Sequence, residues 1–313
     1  LIANLLWLWV LLITPAAIKF PNLFVPLKPA IKPLLGSVIL SMGLTLKFED
    51  FKAVFKKPKT VFIGLVTQYS VMPILGWAVA IALYGELPKV FVAGQVLTGS
   101  CPTGVVSNVY NFLARANLAL SLTLSGINTI VSPFLTPFLT KLLAGKVVKV
   151  EALKLFLDMV QITLVPVLVG IWINSTFGER LERVKPYLPT YSTTAVVLIV
   201  GFVVSAGRDR ILSLPAETFE VLLLGSLFHL LFGFWLGYLI PRLLGVPKVE
   251  RITISIETAM QNSGLATVLA VSHWGALAAL PAIFYSVVQN LVGPFVVKLF
   301  NWMIEKAGKK PAS

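Results

Sequence analysis

Glu257-Thr258-Ala259-Met260-Gln261-Asn262-Ser263-Gly264 puts one carboxylate, two amides, two hydroxyls and a glycine into eight residues of an otherwise apolar stretch. An acidic side chain at mid-membrane costs roughly 2.5–3.5 kcal/mol on insertion scales, so such a group marks a functional site. Upstream, Ser100-Cys101-Pro102-Thr103-Gly104-Val105-Val106-Ser107-Asn108 interrupts a second apolar stretch. Proline removes a backbone donor and clashes with the preceding turn, and glycine tolerates unusual dihedrals, so Pro102 and Gly104 are the expected breakers there. In the later run the expected breaker is Gly264, helped by Asn262 and Ser263. One interrupted helix in each half of an apolar chain is the pattern of a secondary transporter.

Composition places these runs in a membrane. The chain is 57% hydrophobic and 12% charged, with a mean hydropathy of +0.88, whereas soluble domains carry about 25% charged residues. Ten apolar spans are expected, at about 3–19, 30–46, 60–84, 89–112, 118–144, 153–175, 190–207, 217–240, 250–272 and 277–303, each near the length that crosses a bilayer. Turn signals such as Lys56-Lys57-Pro58-Lys59 and Gly245-Val246-Pro247-Lys248 separate them. The expectation is an all-α polytopic membrane protein, with residues 1–313 forming one membrane domain. The net charge of +13 invites a nucleic-acid reading. The basic residues lie in short loops, however, and a positive-inside orientation accounts for them with no nucleic-acid partner. One set of loops holds fifteen Lys and Arg and the other ten, which puts both termini in the cytoplasm. Cys101 is the only cysteine, so no intrachain disulfide forms.

The spans fall into two groups of five, residues 1–146 and 150–305. Five is odd, so the second group enters the membrane from the opposite side and a repeat between the halves is inverted. Both breaks lie in the fourth span of their group, as an inverted-repeat transporter requires. A broken helix frees carbonyls at one half-helix end, which suit a cation, and amides at the next start, which suit an anion. Sodium is a hard cation that prefers oxygen. Glu257 supplies charge, and Gln68, Ser107, Asn108, Gln261, Asn262 and Ser263 supply neutral oxygens. The alternative is that these groups only cap helix ends and bridge helices.

The run Glu257 to Ala266 closely resembles the ninth-helix motif of the bile acid:sodium symporter family. Ser107-Asn108, followed by Leu113-Ala114-Arg115-Ala116-Asn117-Leu118-Ala119-Leu120-Ser121, resembles its fourth-to-fifth-helix motif. Met42-Gly43-Leu44-Thr45-Leu46, Gln68 and Met72-Pro73 also match. The resemblance implies broken helices 4 and 9 that cross at the membrane centre, a core domain behind them, and a panel domain made of spans 1, 2, 6 and 7. It implies one sodium site from Ser107, Asn108, Ser121, Ser125 and Glu257. It implies a second from Gln68, Glu257 and Gln261 with the carbonyls of Thr258 and Met260. Substrate would face Thr103, Gly104, Val105, Val106 and Asn262, with Gln289 and Asn290 beside them. The implied activity is sodium-coupled symport of an organic anion in a bacterial inner membrane, with no obligate protein partner.

Val105 stands where relatives often carry threonine, and Gln289-Asn290 where some carry histidine-asparagine. His229 is followed by Leu230 where some carry asparagine. The anion is therefore left open among bile acid, pantoate, pyruvate and related carboxylates. The rival on the same plan is a proton-coupled carrier or cation/proton exchanger using Glu257. An intramembrane hydrolase would need a nucleophile with its base or paired aspartates. The spans hold no Gly-x-Ser-x-Gly, paired aspartates or His-Glu-x-x-His, so no enzyme is expected. Elsewhere, Asp158 is expected to snorkel toward water or pair with Lys154, with a panel-side role in substrate access as the alternative, His229 to be packed and hydrogen-bonded, His273 to be interfacial, and Cys101 to be a small core residue.

Overall fold

The computed structural model describes residues 6–52, 56–104 and 106–308; Val105, Lys309 and Lys310 lie outside them. The described chain is helical, with twelve main segments. These are α1 (Leu6–Lys19), α2 (Ile31–Gly43), α3 (Pro58–Leu83), α4 (Val90–Ser100), α5 (Val106–Leu113) and α6 (Leu118–Ala144). Then come α7 (Ala152–Leu181), α8 (Leu188–Ala206), α9 (Ala216–Leu243), α10 (Lys248–Ala259), α11 (Ser263–Trp274) and α12 (Ala276–Gly308). Seven helical runs are long and apolar enough to cross a membrane. The expected fourth span divides into α4 and α5, of 11 and 8 residues, and the ninth into α10 and α11, of 12 each. Neither broken span therefore offers one continuous helix of crossing length.

Local chemistry sets several boundaries. Pro58 opens α3, where its missing N–H costs no helical bond. Asn117 caps α6, its side chain accepting the Leu120 N–H at 3.0 Å. In α7 a π turn at Val160–Leu164 leads into Pro166, whose ring and absent donor disturb the preceding turn.

Two sets of helices pack among themselves. One contains α1, α2, α7 and α8; the other contains α3, α4, α6, α9, α10 and α12. Glycines allow close approach in both. A Cβ on Gly43 would lie 2.5 Å from Val167 O of α7, and one on Gly99 2.3 Å from Met72 O of α3. Outward faces carry Phe62, Phe138, Leu142, Leu153, Trp172, Trp235 and Phe295, while Gln68, Asn111, Ser121, Ser125, Asn128 and Glu257 are buried. Apolar groups outside and polar groups inside fit a lipid surround.

Candidate functional site

The two helix breaks lie against each other. Gly104 N–H donates to Met260 O at 2.8 Å and Asn262 N–H to Pro102 O at 2.9 Å, forming a short antiparallel bridge between Thr103 and Gln261. Cys101, before Pro102, is extended at φ −69°, ψ 157°, as a residue preceding proline should be. A Cβ on Gly104 would sit 2.8 Å from Gln261 O, so glycine is required there by the crossing backbone. Gly264 does not break the second helix. The chain departs at Met260 (φ −87°, ψ 88°) and Asn262 (φ −77°, ψ 73°), and Asn262 Oδ1 accepts the Leu265 N–H at 3.1 Å. The interruption is ended by a capping amide, and Gly264 lies inside α11. A Cβ on Gly264 would come within 3.1 Å of Val196 in α8, so its small size serves helix approach.

Glu257 is 2% exposed, on the last turn of α10. Ser121 Oγ donates to its Oε1 at 2.6 Å, Ser125 Oγ to its Oε2 at 2.8 Å, and Asn111 Nδ2 to Oε1 at 3.1 Å. Asn108 Oδ1 lies 2.7 Å from Ser121 Oγ and 3.3 Å from Ser125 Oγ. Ser107 Oγ is 3.4 Å from Ser125 Oγ. Ser107 with Asn111, and Ser121 with Ser125, are spaced four apart, which sets each pair on one helix face. The structure thus brings Ser107, Asn108, Ser121, Ser125 and Glu257 together. No cationic side chain pairs with the carboxylate among the described residues. Asn111 was not anticipated; its position four residues after Ser107 was the available signal. Its Oδ1 is buried without a partner. A carboxylate among hydroxyl and amide oxygens, one of them orphaned, fits a hard cation.

On the other side of the bridge, Gln68 and Gln261 exchange amide hydrogen bonds at 3.2 and 3.3 Å. Gln68 Nε2 also donates to Cys101 O at 3.0 Å, and Gln261 Nε2 to Thr258 O at 2.6 Å. Met260 O accepts Gly104 N–H in the bridge. Gln68, Thr258 and Gln261 are in contact, whereas the Glu257 side chain bonds to the serine and asparagine cluster. The Glu257 carbonyl reaches Thr103 Oγ1 at 3.0 Å.

Beside the crossing lies a cavity of about 260 Å³. Gly104, Val106, Asn262, Gln289 and Asn290 line it, as do Ser192 and Thr193 of α8, which the sequence did not single out. Thr103 is not on its wall. It is buried, donating to Glu257 O and accepting from Asn128 Nδ2 at 2.9 Å. The Gln289 amide clasps the backbone: Oε1 accepts Gln261 N–H at 3.1 Å and Nε2 donates to Gln261 O at 3.2 Å. No charged side chain lines the cavity among the described residues, and the N-termini of α5 and α11 border it.

The remaining residues resolve plainly. Asp158 pairs with Lys32 at 2.7 Å and His273 at 3.1 Å, not with Lys154, which faces Glu151 at 4.0 Å. The spacing of four had suggested Lys154, but α2 and α11 bring nearer partners. His229 is fully buried between Gln95 Nε2 (2.8 Å) and Met72 O (3.0 Å), as expected of a packed histidine. Cys101 is buried.

Comparison with known proteins gives the family. The profile of the Sodium Bile acid symporter family matches residues 32–214. The Bacillus subtilis protein named "Uncharacterized sodium-dependent transporter YocS" is 35% identical over 308 residues, covering 98% of this chain and 94% of that one. The Arabidopsis thaliana "Probable sodium/metabolite cotransporter BASS1, chloroplastic" is 36% identical over 264 residues, covering 84% of this chain and 64% of that one. The chain belongs to the sodium bile acid symporter family, a family of integral membrane transporters and not of enzymes.

Proposed function

We propose that the protein is a sodium-coupled symporter of a small organic anion, working by alternating access. The observation that carries this reading is the convergence of Ser107, Asn108, Ser121 and Ser125 on a buried Glu257 with no cationic partner among the described residues. Burying a lone carboxylate costs several kcal/mol even after relaxation, and a bound cation offsets that cost. The first sodium ion is held by these five residues. The second is held by Gln68, Gln261 and the carbonyls of Thr258 and Met260, with Glu257 contributing charge to both. Relatives named as sodium-dependent support sodium as the coupling ion.

The substrate occupies the cavity at Gly104, Val106, Asn262, Gln289 and Asn290, with Thr103 supporting from behind. Its negative charge meets the amide ends of α5 and α11, since no basic side chain lines the cavity among the described residues. A 260 Å³ space favours a compact carboxylate such as pantoate, pyruvate or a related acid over a bile acid in this conformation. Counting α1 and the two broken pairs with the seven long helices gives ten spans, arranged as inverted repeats 1–146 and 150–305. The set α1, α2, α7 and α8 forms the panel and the rest the core, in a bacterial inner membrane with cytoplasmic termini. Sodium binding orders the crossing, and movement of core against panel switches exposure.

Uptake of labelled acids into proteoliposomes tests the proposal. A sodium gradient is expected to drive accumulation of at least one carboxylate, and a proton gradient without sodium is not. The reverse result would favour Glu257 as a proton carrier, the rival that its isolated burial also permits.

A further inference from the structure

A second, larger hollow of about 1120 Å³ lies at the opposite end of α8 from the substrate cavity, between the turns before α2 and the ends of α8 and α11. Its wall holds four cations, Lys28, Lys32, Arg208 and Arg210, and one anion, Asp209. Asp209 faces Arg208 at 2.9 Å, and Asp158, behind the wall, takes Lys32 at 2.7 Å. Lys28 and Arg210 are exposed and have no ionic partner among the described residues. Helix carbonyls that would oppose an anion are partly occupied: Val203 O by Gly207 N–H at 3.0 Å and Val271 O by Gly275 N–H at 3.2 Å. Pro21, Val25, Phe202 and Val271 supply apolar wall. Two unbalanced cations beside apolar surface select an organic anion over a metal ion or a neutral polyol.

Lys32 belongs both to this wall and to the contact beneath it. Asp158 of α7 joins Lys32 to His273 of α11, next to Ser272 in the wall. An anion arriving at Lys32 competes with Asp158 for the ammonium group. We infer that the hollow is a docking vestibule for the carboxylate of an organic anion, held by Lys28 and Arg210 and by Lys32 in exchange with Asp158. Docking there raises the local concentration of anion ahead of the transport cavity. The inference rests on the reading of the chain as an anion carrier.

The test requires no transport. Ser272→Cys is placed in a Cys101→Ala background, and the purified protein in neutral detergent reacts with a sulfonate-bearing or a trimethylammonium-bearing methanethiosulfonate. Rates are normalised to those of a free thiol. The anionic reagent is expected to lead by roughly tenfold, with the lead shrinking at high salt. Lys28→Gln with Arg210→Gln should bring the two rates near parity, and millimolar sodium pyruvate should slow labelling more than sodium chloride of equal ionic strength. Parity in the parent protein overturns the inference, as does absence of labelling in folded protein whose unfolded form labels. In phosphatidylcholine vesicles, protection by added phosphatidylglycerol but not by pyruvate would make the hollow a lipid-headgroup site and also overturn it. Absence of sodium-driven uptake by the parent protein with a retained rate ratio counts against the symport proposal alone, and Glu257→Gln, which should lose uptake, is expected to leave the ratio unchanged.

Discussion

At the scale of single residues, Glu257 is held by neutral donors from two helices, and Asn111 is the donor the sequence did not reveal. A polar side chain four residues after Ser107 looks like any surface amide; only the packing of α5 on α6 and α10 turns it toward the carboxylate. Hydrogen bonds to charged groups contribute about 1.5–3 kcal/mol. Asn111→Ala should lower stability by that order in sodium-free buffer and shift the apparent sodium affinity several-fold, both read from thermal unfolding across a sodium titration. Unchanged curves at every sodium concentration would remove Asn111 from the site. In the sequence, Ser107, Asn108 and Ser121 stood out through the motif that resembles the family's, and Ser125 only through the ligand set that the resemblance implies. Thr103 was misplaced because position in a break does not say which side a side chain takes, and here Asn128 and the Glu257 carbonyl draw it inward.

At the scale of elements, the two breaks are built differently. Pro102 dictates the first, so the sequence located it well. The second contains no proline, and the sequence pointed to Gly264, helped by Asn262 and Ser263. The chain ends its gap with the Asn262 cap, and Gly264 lies inside α11 against Val196 of α8 and on the cavity wall. The two glycines should therefore respond in opposite ways. Gly104→Ala sets a methyl group 2.8 Å from the Gln261 carbonyl and should abolish transport and markedly lower the unfolding temperature. Gly264→Ala meets only a valine methyl at 3.1 Å. It gains helix propensity of up to about 1 kcal/mol, so the variant should fold near normally. Similar loss in both would restore Gly264 as a breaker. Gln289→Leu leaves the Gln261 N–H and carbonyl without their side-chain partners. The carbonyl keeps the Ser263 N–H at 2.9 Å, but an unsatisfied buried N–H costs about 1–3 kcal/mol, so the variant's unfolding temperature should fall even without substrate, which a residue serving only substrate would not show.

At the scale of the whole molecule, the helices divide into two packed sets that meet where α6 packs on α7 and where α11, packed on α4 and α12, touches α2 and α8, and Asp158 of α7 with His273 of α11 ties them together at the end away from the cavity beside the crossing. Asp158→Asn should weaken that tie and speed labelling of Ser272→Cys; slower or equal labelling would show that the contact does not hold the sets closed. Hydropathy found the seven long apolar helices and composition the membrane class, because both depend on many residues at once. The Asp158 partners were not legible, because Lys32 and His273 are distant in sequence and meet it only after α2, α7 and α11 assemble. The central claim is that Glu257 binds sodium. Equilibrium binding of radiosodium to purified protein tests it most directly. The intact chain should bind two ions per molecule with a steep isotherm, and Glu257→Gln, still folded by size-exclusion and thermal unfolding, should lose binding at both sites. Full radiosodium binding by that variant would contradict the claim.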